Sequence, residues 1–473
     1  MARQQQLGKS IIIVGGGPGG YETALEAAHR GFSVTLVTEG EVGGTCLNEG
    51  CIPTKSLCRN AEFLLSLRES GKFGVEVPSL PVDWEKVYGR KDEVVGQLRS
   101  GVEFLLKGAK VTLLRARATL ASPNSVRLSS GDPSLDGEEL SADYIILATG
   151  SHSASLPIPG ADLPGVVTSK ELLSLGKEPP RRLCVIGGGV IGLEFASVFE
   201  GFGSEVCVLE YCKEVLPRFD TDLAKRLRMA LSKGRGIRIE TAAQVTSISR
   251  NENDGTLSVT FLKKDREEVV QCDTVLMAVG RVPSVEGIGL AEVGVEYGRR
   301  GVNVDSNMRT NLDRVYAIGD VTGGMMLAHV ATFQGLKALE DICSREIEGY
   351  CSAASEIDLS IVPAAVFTYP EAATVGLTED ECKERGMDFS THKSMFRANG
   401  KALSMGEGEG YCKIICEGED GHILGAHLFG AHSSDLIHEV ALCMKEGATL
   451  RDLTHTVHAH PSLSEVILSA ARS

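Results

Sequence analysis

The chain has 473 residues, 42% of them hydrophobic, enough to bury substantial cores in roughly three domains of ordinary size. Its formal charge of −15 offers no basic stripe for displacing counterions from a polyanion, which excludes nucleic acid as a partner. The strongest apolar runs, at 11–14, 144–148 and 275–279, are far too short to span a bilayer, so no membrane segment is expected.

The first ten residues are polar and hold no apolar core of signal-peptide length. That points to the cytoplasm, although a matrix protein that has lost its transit peptide reads the same way. The 13 cysteines are odd in number and follow no framework spacing, the usage of a reducing compartment. Most read as small core residues. Cys412 and Cys416 have no second pair of ligands beside them, and no metal site is expected.

In chain order, the run at 11–14 predicts a strand, the segment after it a helix ending near Gly31, and 32–37 a second strand. Gly15, Gly17 and Gly20 fall between strand and helix, where bare backbone can approach a pyrophosphate at a helix N-terminus. One such motif is weak, because glycine-rich turns also arise for packing. The sequence repeats it: a strand at 183–186, then Gly187, Gly189 and Gly192, a helix through Phe199 and a strand at 205–209. Two copies in the required context predict two doubly wound dinucleotide-binding domains.

An acid at the end of the second strand is expected to hold the adenosine ribose. In the second copy it is Glu210, whose carboxylate accepts from a free 2′-hydroxyl, repels a 2′-phosphate and so favours NAD over NADP. In the first copy the same count lands on Thr38 and the acid follows at Glu39; either side chain can serve.

Two cysteines, Cys46 and Cys51, follow the first βαβ unit in the run Gly43–Lys55, beside the first expected nucleotide. Their glycine entry, five-residue offset and position at a predicted helix start argue against two buried structural thiols. A thiol near a helix N-terminus is held more easily as the reactive thiolate. A disulfide across so short a loop stabilises little, which favours a redox role. Further on, strands at 144–147 and 315–317 are expected to return to the first sheet, so that the second nucleotide domain is inserted within the first. Asp320, at the end of the latter strand, suits the hydroxyls of a polyol, and the segment 274–281, ending in Gly280 and Arg281, closes the insertion.

The run Gly43–Lys55 resembles the signature of class I pyridine nucleotide-disulfide oxidoreductases, FAD enzymes in which a cysteine pair stacks over the flavin. The likeness extends over essentially the whole chain, since the paired glycine fingerprints, the turn at 148–151 and the segment 315–320 match in order. It implies that Cys51 is the flavin-proximal, charge-transfer thiolate and Cys46 the outer thiol that exchanges with substrate. It makes Lys55 and Glu194 the ion pair near the flavin N5, and places Thr54 where serine is common. Further cofactor contacts implied are Gly44, Thr45, Thr149, Gly150, Ser151, Leu327, Ala328 and His329.

The segment 454–465 is similar to the C-terminal active-site segment of the dihydrolipoyl dehydrogenase branch, with His460 matching its acid/base and Glu465 its carboxylate partner. A carboxylate on one ring nitrogen fixes the tautomer and supports the imidazolium. The spacing of His455, His458 and His460 fits no ligand pattern, and His458 is expected to hydrogen-bond locally. Glu210 and Gly192 oppose the NADP-preferring branches.

The resulting expectation is an α/β protein: a first FAD-binding part at 1–151, an inserted NAD-binding domain at 152–278, a central FAD-binding part at 279–348 and a C-terminal α+β dimerisation domain at 349–473. It binds FAD tightly but non-covalently, uses NAD, and forms a homodimer that presents His460 to the partner's site. It oxidises the dihydrolipoyl group on the lipoyl domain of a 2-oxoacid dehydrogenase or glycine cleavage complex. The rival readings are another NAD(P)H-dependent disulfide or metal-ion reductase of the family, and a non-catalytic flavoprotein redox subunit.

Overall fold

The computed structural model describes residues 7–419 and 421–473, which divide into two compact units, each discontinuous in sequence. The described part of the first unit comprises Leu7–Pro53, Gly89–Ala154 and Arg281–Leu359. Its centre is a parallel five-stranded sheet in the order Val315–Ala317, Tyr144–Leu147, Ser10–Val14, Ser33–Thr38, Thr112–Arg115. The central strands carry unbroken apolar runs because helices cover both faces of a doubly wound sheet. Ile13, Ile145 and Ile146 are accordingly fully buried, each such side chain contributing roughly 1.5–3 kcal/mol. Pro18–His29 leaves the first strand as a helix and packs against Ala328–Glu346, where a Cβ on Gly335 would fall 1.8 Å from Thr23 Oγ1.

The strand Val315–Ala317 pairs in parallel with Tyr144–Leu147 although some 170 residues separate them. Most of the second unit's nucleotide fold lies in that interval. The first unit also carries an antiparallel three-stranded sheet (117–122, 125–129, 139–141) and the pair Ser151–Ser153 with Arg281–Pro283.

The second unit comprises Thr54–Tyr88, Ser155–Gly280 and Ser360–Ser473. It repeats the parallel sheet in the order Arg238–Glu240, Glu205–Leu209, Arg182–Ile186, Thr274–Met277, Val166–Val167. Its C-terminal part is an antiparallel five-stranded sheet in the order 364–366, 372–376, 423–429, 411–417, 389–395, packed by the helices Ser433–Lys445 and Glu465–Ala471. The architecture is therefore α/β, two doubly wound sheets followed by an α+β part. Among the described residues, no helix is long and apolar enough to cross a membrane.

Candidate active site

In the first unit, the glycine loop sits at the C-terminal ends of the central strands, where a doubly wound sheet binds its ligand. Its third glycine touches its first: a Cβ on Gly20 would lie 1.9 Å from the Gly15 carbonyl oxygen. Gly17 is different, since a Cβ there meets nothing within 4 Å, and the helix that follows has no side-chain cap. The loop thus presents bare backbone and first-turn N–H groups, the donor set that suits a pyrophosphate.

The segment that carries Cys46 and Cys51 is fastened to this loop. Gly43 N–H donates to Gly16 O at 2.7 Å, and Gly44, in the left-handed region at φ 56°, approaches Gly17 so closely that a Cβ would sit 2.6 Å from its Cα. Cys46 and Thr45 lie on a short helix, Gly44–Glu49, rather than on one continuous turn with Cys51. The chain breaks at Gly50 (φ −144°, ψ −108°), and Cys51 opens an 18-residue helix, Cys51–Arg68. A sulfur anion there is favoured by the helix dipole. Cys51 is exposed and Cys46 partly so. Burial pushes the Tyr21 phenol up, with Glu22 and then Cys46 adding to it, so Cys46 lies within electrostatic reach of the first loop's helix.

Beside Gly15 lie the turns that carry the other first-unit candidates. Ala148 N–H donates to Val14 O at 2.7 Å and Ile318 N–H to Leu147 O at 2.9 Å, aligning the turns after three neighbouring strands. Ser151 Oγ donates to Asp320 Oδ2 at 2.5 Å and accepts from Arg281 Nε at 2.7 Å, while Arg281 also donates to the Ser151 carbonyl at 2.6 Å. Thr149 Oγ1 donates to Ser284 O at 2.9 Å, and Ser284 N–H to Gly150 O. Gly280 is exposed beside Arg281. Leu327 is the N-cap of Ala328–Glu346, so Ala328 and His329 open that helix. Glu39 is exposed just past its strand, whereas Thr38 is buried and donates to Gly40 O at 3.3 Å.

The second unit's loop has the same build: a Cβ on Gly192 would lie 2.0 Å from Gly187 O, and one on Gly189 meets nothing within 4 Å. The helix it starts, Val190–Phe202, also lacks a side-chain cap, so this loop too fits a dinucleotide. Glu210 is buried and accepts backbone N–H groups from Gly188 at 2.5 Å and Cys212 at 2.6 Å, which fixes its carboxylate at the loop.

Glu194, in the first turns of that helix, has a side chain only 4% exposed, and Lys55 Nζ donates to both its oxygens at 2.9 Å. A carboxylate so deeply buried requires such a partner. Phe367, which the sequence does not mark, completes the arrangement: its N–H donates to Glu194 Oε1 at 3.0 Å and its ring centroid lies 4.3 Å from Lys55 Nζ. Only its place at the end of an apolar strand, beside a Thr-Tyr-Pro turn, hinted at a constrained position.

His460 is prominent, with a side chain 80% exposed, and its Nδ1 lies 2.9 Å from Glu465 Oε1. Ser462 N–H donates to Glu465 Oε2 at 2.9 Å, and this bond, then His460, holds the carboxyl below the usual range. An ionised carboxylate only accepts, so Nδ1 carries the hydrogen and Nε2 is left to take up a proton. His458 is bonded instead to Glu439 at 2.8 Å and to Thr456 O, and His455 to Arg451 O. Among the described residues, no group of side chains is suited to hold a metal ion.

Residues 9–335 match the family model described as pyridine nucleotide-disulphide oxidoreductase, and residues 362–471 its dimerisation domain. The chain is 39% identical over 463 residues to a dihydrolipoyl dehydrogenase of Chlamydia muridarum, covering 97% of this chain and 95% of that one. It is 36% identical over 466 residues to a mitochondrial dihydrolipoyl dehydrogenase of Pisum sativum, covering 98% and 90%. Among solved structures it is similar to LpdA from Mycobacterium tuberculosis, with a TM-score of 0.87 at 29% identity over 98% of this chain and 99% of that one. It is also similar to the HOCl-induced flavoprotein disulfide reductase RclA from Escherichia coli, with a TM-score of 0.84 at 29% identity over 98% and 99%.

Proposed function

The chain belongs to the pyridine nucleotide-disulphide oxidoreductase family, and on that premise we propose that it oxidises a protein-bound dihydrolipoyl group to the lipoyl disulfide, with NAD as the final acceptor. The observation that carries the reading is the His460–Glu465 pair, an exposed imidazole with Nδ1 committed to a carboxylate and Nε2 turned to proton transfer. It belongs with a thiol substrate that must lose a proton before it can attack.

In the proposed reaction, His460 Nε2 takes the proton of one substrate thiol. The thiolate attacks Cys46 Sγ, forming a mixed disulfide and breaking the Cys46–Cys51 bond, so that Cys51 leaves as thiolate. The second substrate thiol attacks the substrate sulfur of the mixed disulfide and closes the lipoyl ring; its proton goes to the departing Cys46, which leaves as thiol, while His460 keeps the first proton. Two electrons then reside on the cysteine pair. The first glycine loop and the Ser151–Asp320–Arg281 turns would hold FAD and the second loop NAD, and the flavin, when bound, would supply the two-electron chemistry that links the cysteine pair to the nicotinamide. The N-terminus of Cys51–Arg68 favours the thiolate at Cys51, and the Lys55 ammonium follows one turn later on the same helix.

The C-terminal region is proposed to pair with a second copy, so that His460 of the partner subunit serves the cysteine pair. The lipoyl donor is a carrier domain of a 2-oxoacid dehydrogenase or glycine cleavage complex. A coupled assay tests this by offering dihydrolipoamide, glutathione disulfide and Cu(II) with either nicotinamide dinucleotide. Turnover of dihydrolipoamide with NAD, abolished in Cys51→Ser, is expected. Oxidation of dihydrolipoamide that survives Cys51→Ser overturns the mechanism.

A further inference from the structure

Phe367 follows the strand Ala364–Val366 and makes three contacts at once. Its N–H donates to Glu194 Oε1 at 3.0 Å, its carbonyl accepts the Cys58 thiol at 3.4 Å, and its ring faces the Lys55 ammonium at 4.3 Å. The residues after it fix its register on the helix Val190–Phe202. Tyr369 N–H donates to Ser197 Oγ at 3.1 Å, and Tyr369 O accepts from Arg235 at 2.9 Å, which in turn pairs with Glu200. Glu194, Ser197 and Glu200 are spaced by three along that helix, so its one face grips the whole segment from Phe367 to Tyr369.

We infer that Phe367 is a positioning residue of the redox site: it holds both halves of the Lys55–Glu194 pair and so fixes the ammonium one helical turn beyond Cys51. A carboxylate alone leaves a lysine on a four-carbon stem several ways to reach it. An aromatic face adds an attraction that competes for none of the ammonium's hydrogen bonds and excludes water from one side. The backbone N–H, meanwhile, keeps Glu194 from turning with the lysine. Cys51 and Lys55 are spaced i, i+4 on the helix Cys51–Arg68, the spacing that sets two side chains on one face. A fixed ammonium there favours the thiolate of Cys51 over the thiol.

The inference rests on the functional reading above, and its test uses the full-length, FAD-loaded protein. Wild type, Phe367→Leu, Phe367→Met, Phe367→Tyr, Lys55→Met and the Phe367→Leu/Lys55→Met double variant are reduced anaerobically by two electrons. The pH at which the long-wavelength thiolate-to-flavin band reaches half its intensity is then measured. Losing the aromatic face in the Leu and Met variants should disfavour the thiolate about two- to fivefold, moving that midpoint upward, while the Tyr variant stays at the wild-type midpoint. Phe367→Leu should add nothing once Lys55 is already Met. Equal midpoints in wild type and both non-aromatic variants overturn the inference, as does an equal shift in Phe367→Tyr or a further shift in the double variant. A wild type with no band at all overturns the functional reading and the inference with it; a wild type with the band isolates the failure to Phe367.

Discussion

In both nucleotide loops the third glycine rests against the carbonyl of the first, with a Cβ clash of 1.9 Å at Gly20 and 2.0 Å at Gly192. Past the second strand the loops part company. Glu210 is buried and bound by two backbone N–H groups, whereas the first loop has buried Thr38 in that register and puts its acid, Glu39, in solvent. The equivalence of Thr38 and Glu210 is structural: a Cβ on Gly16 would meet Thr38 Oγ1 at 2.6 Å, and one on Gly188 would meet Glu210 Oε2 at 3.0 Å. A pyrophosphate is read by backbone, which tolerates one solution and so recurs almost unchanged. A ribose is read by a side chain, which has several solutions and so diverges.

The sharpest way to break this comparison is to fill the shared contact. Gly20→Ala and Gly192→Ala each force a methyl onto a carbonyl oxygen, an overpacking cost of about 1–3 kcal/mol or more. If the loops are separate equivalents, Gly20→Ala loses flavin and Gly192→Ala keeps it, while binding NADH roughly five- to hundredfold more weakly. Flavin absorbance after gel filtration and quenching by NADH read the two losses. Loss of flavin from Gly192→Ala would mean that the loops do not act independently.

Acid separates the two units as well. The first unit's histidines, His29, His152 and His329, are exposed, but the second unit buries His427 completely in the strand Ile423–Phe429. Its Nδ1 accepts from Thr374 and its Nε2 donates to Leu377 O, and burial lowers its pKa from 6.5 to about 4, with Lys413 adding and Asp220 opposing. Between those values the unfolded chain binds a proton that the folded one does not, so stability falls as pH drops from 6.5 to 4. The full effect is about 3 kcal/mol. Urea unfolding of the C-terminal region across that range should show the slope, and His427→Gln should flatten it.

Much of the site was legible because its chemistry is local in sequence. The glycine spacings, Cys46 with Cys51, and His460 with Glu465 each sit within a few residues of their partner. Lys55 and Glu194 are 139 residues apart and were found through family likeness, not spacing. Phe367 was not found, because its role uses a backbone N–H and a ring face, which any apolar strand end carries. The break at Gly50, which puts Cys46 on Gly44–Glu49 and Cys51 at the start of Cys51–Arg68, also has no signal in the residue spacing. The grouping of Thr54–Tyr88 with the C-terminal residues is likewise set by tertiary packing that no local composition announces.

Glu210 gives the next effect in size. Glu210→Ala removes the proposed ribose acceptor and strands the N–H groups of Gly188 and Cys212, each bonded to a charged oxygen. A loss of about 1.5–3 kcal/mol, roughly ten- to hundredfold in NAD affinity, is expected, with weaker discrimination against NADP. Isothermal titration with both dinucleotides measures it. Unchanged discrimination would place the ribose contact elsewhere.

The smallest effect falls at the first loop, where the comparison is most easily sharpened. Glu39 is exposed, so a bond donated by a ribose hydroxyl to its carboxylate is screened and contributes about 0.5–1 kcal/mol, a two- to fivefold faster loss of FAD in Glu39→Ala. Thr38 spends its hydroxyl on Gly40 O and its bulk on Gly16, so Thr38→Val keeps the packing and should change FAD release less than Glu39→Ala does. Flavin release in mild denaturant ranks the two. The reverse order would move the ribose contact to Thr38, and the two loops would then use the same register with different chemistry, a hydroxyl in one and a carboxylate in the other.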